Sequence, residues 1–351
     1  MTDPITEPAG IDSVAAIQQL VGQIEKVIRG KRTQIEMVIT CLLAGGHILM
    51  EDNPGTGKTV LARTLSQCIS GTREGEHVVF KRIQFTPDLL PMDLIGSHIF
   101  DDRNKEFVFK KGPLFCNILL ADEINRASPK VQSALLEAMQ ERKVSIGGID
   151  HPMKNPFFVL ATQNPIEQEG TFPLPEAQLD RFMFKVVVPF LNRAELNEVV
   201  NRTILKKRYE ATAILDGPRI LHLRTVLDRV VVSDPMRDYA CRLVLATHPD
   251  SEFATERIRK FLRWGASPRA AQALIRAARV RALSQGRAHV SFQDIRYFAP
   301  EVLIAHKTKS ILMSNTKTDI YSLGIVFLEI FTRKKGWDNF DVNRVIDGGI
   351  P

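Results

Sequence analysis

The stretch Glu51-Asp52-Asn53-Pro54-Gly55-Thr56-Gly57-Lys58-Thr59 constrains the fold of this chain more than any other. It follows a short apolar run, His47–Met50, and opens a helical one, Val60–Ile69. That order reads as strand, glycine-lined turn and helix start. Glycines remove the Cβ atoms that would stop backbone N–H groups folding round phosphate oxygens. Lys58 is placed to neutralise β- and γ-phosphates, the Thr59 hydroxyl to ligate Mg²⁺, and the helix to turn its positive end to the same point. The expected nucleotide contacts are therefore Asn53, Pro54, Gly55, Thr56, Gly57, Lys58, Thr59 and Val60. The usual GxxxxGK(S/T) pattern begins on glycine, and Asp52 stands at that place here.

Five short apolar segments suggest strands: His47–Met50, Val78–Phe85, Phe115–Ala121, Phe157–Thr162 and Phe182–Val188. Most are nearly continuous apolar runs, as strands covered on both faces require, and helical stretches lie between them. The expectation is an α/β fold with a five-stranded parallel sheet. One intervening helix, Pro129–Gln140, has Ser128 as a candidate N-cap and proline at its first position. After Pro189 the pattern turns helical apart from a brief Val230–Val232, which suggests a core over 1–190, a boundary in Pro189–Asn192 and a smaller helical domain over 191–306.

Two strand ends carry candidate chemistry. Asn117-Ile118-Leu119-Leu120-Ala121-Asp122-Glu123 is an apolar strand closed by two acids. Beside a phosphate loop, Asp122 would hold Mg²⁺ directly or through water, and Glu123 would polarise the attacking water. The strand Phe157–Thr162 runs into Gln163-Asn164-Pro165, and Asn164 is the candidate for a hydrogen bond to the γ-phosphate or the water.

Composition narrows the alternatives. With 44% hydrophobic and 25% charged residues the chain is an ordinary globular one. The polar N-terminus does not read as a secretory signal, and the apolar run Ile320–Phe331 is too short to span a bilayer. Cys41, Cys68, Cys116 and Cys241 form no CxxC pair and each lies in an apolar stretch, so all are expected to be buried thiols. A cytoplasmic location fits. The formal charge of +7 is spread along the chain, and nucleic acid is not an expected partner.

In this order the motifs resemble the AAA+ ATPases, and their wording is similar to the MoxR family: LLAGGHILMEDNPGTGKT, LLADEINRASPKVQSALLEAMQE, VLATQNPIEQEGTFPLPEAQLDRF and GASPRAAQALIRAARVRAL. The resemblance runs from about Val21 to Ala305. It implies Walker A at Asp52–Thr59, Walker B at Asp122 and Glu123, and sensor 1 at Asn164. It also implies an arginine finger at Arg181 that reaches the neighbouring subunit's ATP, and a sensor 2 at Arg269 that bonds the γ-phosphate of its own chain. Arg126 would sense the adjoining subunit. The stretch holding Gly30 matches the region near the adenine base, and hairpin inserts are expected at Phe85–Gly112 and Lys143–Asn155, facing the pore or the client.

The resemblance further implies ATP and Mg²⁺ as cofactors and a hexameric homo-oligomeric ring. The expected role is a chaperone-like ATPase in assembly or activation of protein complexes, with a client or partner that bears a von Willebrand factor A domain. A slow nucleotide-gated scaffold and a nucleic-acid motor of a related helicase clade are the alternatives. The tail, 307–351, departs from the pattern: Asn315–Phe331 resembles a structural helix of protein kinases, without the HRD-type or DFG motifs that kinase catalysis needs.

Overall fold

The computed structural model describes residues 13–51, 57–69, 78–164, 170–188, 192–204 and 210–306. Asp52, Asn53, Pro54, Gly55 and Thr56, residues 189–191 of the expected boundary Pro189–Asn192, and the kinase-like tail lie outside the described residues.

Two helices, α1 (Ser13–Val27) and α2 (Arg32–Leu43), precede strand β1 (Ile48–Glu51). Helix α3 (Lys58–Gln67) leads to β2 (Phe80–Gln84), the short α4 (Pro91–Ile95) and the hairpin of β3 (Gly96–Asp101) and β4 (Glu106–Lys111). Then come β5 (Ile118–Asp122), α5 (Pro129–Glu141), a second hairpin of β6 (Lys143–Ile146) and β7 (Ile149–Pro152), β8 (Phe158–Gln163), α6 (Glu176–Leu179) and β9 (Phe184–Val187). The remainder is helical: α7 (Arg193–Ile204), α8 (Gly217–Arg229), α9 (Asp234–Leu245), α10 (Glu256–Phe261), α11 (Pro268–Ser284) and α12 (Phe292–Ala305).

The central sheet has the order β2-β5-β8-β1-β9, every pair parallel. All five strands anticipated from the apolar runs are in it. The side chains of the three inner strands, β5, β8 and β1, alternate between two covered faces, whereas edge strand β2 is largely exposed. Ile48, Met50, Ile118, Leu120, Phe158 and Leu160 pack with α1–α3 and the C-terminal helices. Leu49, Leu119, Ala121, Val159 and Ala161 pack on the other face with α4 and α5. Burial on both faces is why these segments are continuously apolar rather than alternating. The helical domain shares the first of these cores, and Phe184 of β9 stacks on Phe298 of α12 with centroids 5.5 Å apart. Val231 makes only an isolated bridge to His289.

Pro129 opens α5 as expected, with Ser128 at the N-cap position. Both hairpins form where the inserts were expected. One expectation fails. Cys41, Cys68 and Cys116 are buried, but Cys241 is exposed, because α9 turns Met236, Ala240, Leu243 and Val244 inward and leaves position 241 on its outer face. Among the described residues, no helix is long and apolar enough to cross a membrane.

Candidate active site

Because the strands are parallel, their carboxyl ends collect along one edge of the sheet, where ligands bind in such folds. The register sets Gln84 opposite Asp122, and Gln163 opposite Glu51. Ala121 faces Ala161, so Asp122 meets Thr162 on the next strand. Polar residues from four strands thus form one row.

Asp122 is buried and multiply held. The Thr162 hydroxyl donates to Oδ1 at 2.6 Å, and Arg82 donates from Nη2 to Oδ2 at 2.8 Å. Thr162 Oγ1 in turn accepts the backbone N–H of Glu123 at 2.9 Å. Glu123 itself has φ 56° and ψ 51°, a left-handed conformation costly for a residue with a Cβ and common at functional turns. Its side chain leaves the strand axis to accept from Gln84 Nε2 at 2.9 Å and to pair with Arg126 at 3.3 Å. Asn164 is buried just past β8, and its carbonyl accepts from Asn125 Nδ2 at 3.3 Å.

Glu51, Gln163 and Lys185 form a second cluster at the root of the glycine turn. Lys185 Nζ lies 2.6 Å from Glu51 Oε1, both side chains are almost wholly buried, and Gln163 donates to the same oxygen.

Across the turn, Gly57 caps α3 with φ 93°, and the space where a Cβ would stand is open. Among the described residues no side chain caps this helix, which leaves its first N–H groups as donors for a ligand. Lys58 and Thr59 occupy its first turn, and Val60 is exposed. This arrangement fits a nucleotide phosphate. Thr59 and Asp122 are hard oxygen donors, and a carboxylate that already accepts Arg82 and Thr162 keeps free lone pairs, so the pair also fits Mg²⁺ with water and phosphate oxygens as its other ligands. Gly30 has φ 75°, and a Cβ there would collide with Glu195. The region expected near the base therefore rests on the first turn of α7, itself closed by reciprocal Asn192–Glu195 bonds.

The opposite edge of the sheet holds a different set of charges. Asp180 and Arg181 precede β9 and line a cavity of about 300 Å³ with Gly45, His47, Arg269 and Arg276. Arg269 Nη1 donates to Asp180 Oδ2 at 2.9 Å, while His306 Nδ1 and Ser267 Oγ hold Oδ1. Burial would raise the Asp180 carboxyl, but hydrogen bonds from His306, Ser267 and Arg269 outweigh it and hold it below the usual carboxylate range. His47 is fully buried and accepts the Val159 N–H at Nδ1, so its other nitrogen carries the proton and donates to the Met139 carbonyl. Burial, with Arg142 nearby, pushes its pKa well below an ordinary imidazole.

This placement corrects one expectation. Arg269 does not face the phosphate loop of its own chain. It is tied to Asp180 at the amino end of β9, whereas the loop leaves the carboxyl end of the parallel β1, a four-residue strand of about 13 Å. Arg181 shares that edge. Several residues of the site were not foreseen: Arg82, Gln84, Thr162, and the Glu51–Lys185 pair. Gln84 carried the one readable signal, a polar residue closing a strand that neighbours Asp122.

Residues 47–184 match the family model described as ATPase family associated with various cellular activities (AAA), and residues 254–319 match an AAA lid domain. The chain is 42% identical over 300 residues to the protein named Chaperone MoxR1 of Mycobacterium tuberculosis, covering 84% of this chain and 78% of that one. This chain belongs to the MoxR family of AAA ATPases. It is 30% identical over 302 residues to the protein named MoxR of Methylorubrum extorquens, covering 81% of this chain and 85% of that protein. A crystal structure from Cytophaga hutchinsonii, described as a candidate ATPase, superposes with a TM-score of 0.80 at 39% identity, over 91% of this chain and 94% of its own. The lid match extends past His306 into residues outside those described.

Proposed function

We propose that this MoxR-family chain hydrolyses ATP at sites shared between neighbouring copies in a ring and uses the cycle to remodel a protein client. One observation carries the reading: the phosphate loop and the Asp122–Glu123 pair lie on the carboxyl edge of the sheet, while Arg181 and Arg269 lie on the amino edge. No copy can bring both edges to the same phosphate. A head-to-tail contact between copies can, and such contacts form a ring when the rotation between copies closes.

In this proposal Lys58 and the α3 N-terminus hold the β- and γ-phosphates, with Asn53, Pro54, Gly55, Thr56, Gly57 and Val60 around them. Thr59 and Asp122 would hold Mg²⁺, which when bound neutralises charge on the phosphate oxygens. Glu123 accepts a proton from the attacking water, and Asn164 orients that water or the γ-phosphate. Gln84 and Arg126 set where the Glu123 carboxylate points. Arg181 and Arg269 of the adjoining copy supply fixed positive charge where the transferring phosphoryl becomes more negative, a role suited to planar, always-charged guanidinium groups.

The conformational step is proposed at Gly30. Its backbone lies against Glu195, so occupancy of the base region bears directly on the start of the helical domain. The client surface is proposed on the β3–β4 hairpin, whose Ile99, Phe100, Phe107 and Val108 are exposed, with the two phenylalanine rings edge to face at 5.3 Å. A partner with a von Willebrand factor A domain and a hexameric ring number belong to the same proposal.

Subunit mixing tests the shared site. Arg181→Ala and Glu123→Gln proteins should each bind ATP and fail to turn it over. Mixed, they should regain activity, because an interface that takes Glu123 from one copy and Arg181 from the other is intact. Mixtures that co-assemble yet stay inert at every ratio would exclude the arrangement.

A further inference from the structure

The arginines of α11 differ in how they are neutralised. Arg269 pairs with Asp180, Arg279 with Asp228 at 3.5 Å, and Arg281 with the buried Asp294 at 3.5 Å. Arg276 has no such partner among the described residues, although it lies on the same helix. Helical geometry puts 269, 272, 273 and 276 on one face, and all four line the cavity that also holds Arg181. Arg269 and Arg276 stand two turns apart, roughly 10 Å along the axis.

The cavity is strongly cationic. Arg142, Arg181, Arg269 and Arg276 line it against one acid, Asp180, whose oxygens already accept from Arg269, His306 and Ser267. Arg142 is committed to the Gly45 and Phe157 carbonyls at 2.6 and 2.5 Å, so its charge is not cancelled by a carboxylate there. His306 is almost wholly buried, and its Nε2 has no partner among the described residues. Repulsion among clustered cations destabilises a protein unless an anion relieves it. A merely solvated arginine on a basic helix would explain Arg276 alone, but not its sharing one cavity with Arg181 and with His306.

We infer that Arg276 is a third phosphate-facing arginine, which grips the triphosphate end of the nucleotide held by the adjoining copy. This rests on the shared-site reading. Arg181 and Arg276 are the two cavity arginines left without a carboxylate or a carbonyl partner among the described residues, and the seven-residue spacing lets α11 offer a second cation along the phosphate chain.

The test uses inorganic tripolyphosphate titrated into the full chain carrying Lys58→Ala, which disables the chain's own phosphate loop. Calorimetry at low salt should show about one site per chain. Adding Arg276→Ala should weaken binding about tenfold or more, as losing a charge-assisted contact does. Arg276→Lys should recover part of it, because it restores charge without the planar fork. Arg263→Ala, removing an exposed arginine stacked on Trp264 away from the cavity, should change nothing. In the assembled protein with Lys58 intact, Arg276→Ala should raise the KM for ATP by a similar factor. No tripolyphosphate binding, or equal binding with Arg276→Ala in a chain with unchanged thermal melting, overturns the inference. Failure of subunit mixing would remove the neighbour from the reading, whereas failure of the titration removes Arg276 alone.

Discussion

Replacing Lys185 by methionine removes one half of an ion pair at the root of the phosphate loop. Lys185 lies opposite Leu49, so Glu51 is its diagonal neighbour two residues on, and the Nζ–Oε1 separation of 2.6 Å spans that diagonal. The two side chains are 9% and 2% exposed. Water cannot replace the lost partner, and Glu51 would be left as a buried charge with Gln163 as its remaining donor among the described residues. Breaking such a pair from one side costs about 3–5 kcal/mol. Glu51→Gln should cost a similar amount, for the mirror-image reason. The double variant has no stranded charge and should be less destabilised than the sum of the singles by about 2 kcal/mol or more. Equilibrium urea unfolding followed by circular dichroism measures all three. Fluorescent-nucleotide titration should show weaker binding in both singles, because Glu51 anchors the residue from which the loop departs. Single-variant losses below about 1 kcal/mol, or losses that add within about 0.5 kcal/mol, would refute the view that a desolvated pair holds this edge together.

Other consequences follow from the same contacts. Thr162→Val should leave the half-buried Glu123 N–H without its acceptor, costing about 1 kcal/mol in stability, and should lower kcat about tenfold or more while nucleotide affinity stays near wild type. His47 should remain neutral by nuclear magnetic resonance through the range where a free imidazole titrates. Its folded pKa is depressed, so the unfolded chain takes up a proton that the folded one refuses, and stability should fall as pH drops below about 6.5, with a limiting slope of about 1.4 kcal/mol per pH unit. Glu301 behaves oppositely: burial raises its carboxyl to about 7, so the folded state holds an extra proton and loses stability as pH rises from about 4.5 through 7. Glu301→Gln should therefore stabilise the protein by roughly 3 kcal/mol at pH 8 and have little effect at pH 4.5, as thermal melting at the two values would show.

The sheet was legible because burying both faces of a parallel strand leaves an unbroken apolar run, and the strand ends follow from where that run meets acids or amides. Asp122 and Glu123 could be picked out as charges placed where an apolar strand stops, and Lys58 as the charge that follows the glycine turn and opens a helix. Arg82 could not, because Phe80–Gln84 is an edge strand whose polar residues look like solvent contacts until its register places Arg82 on Asp122. Thr162 hid in a strand as an unremarkable β-branched residue, and its two hydrogen bonds exist only because β5 and β8 are adjacent. Arg269 shows the limit most clearly. Its motif reads as a phosphate contact, but motif spacing does not say which edge of the sheet a helix of the second domain will reach.

That edge follows from packing. The helical domain is tied to the core through α12 on β9 and through the Asp180 cluster, so the N-terminus of α11 is held at the amino end of the last strand. A parallel sheet separates its two edges by the full length of its strands, and no rotamer of Arg181 or Arg269 spans it. Under the proposed reading, an isolated copy therefore has a base and a phosphate grip but lacks the cations that stabilise the transition state. Arginines of this kind contribute roughly 10³–10⁵-fold to phosphoryl transfer. Turnover should then rise steeply with assembly, while nucleotide binding, which needs only the near edge, should depend on assembly much less.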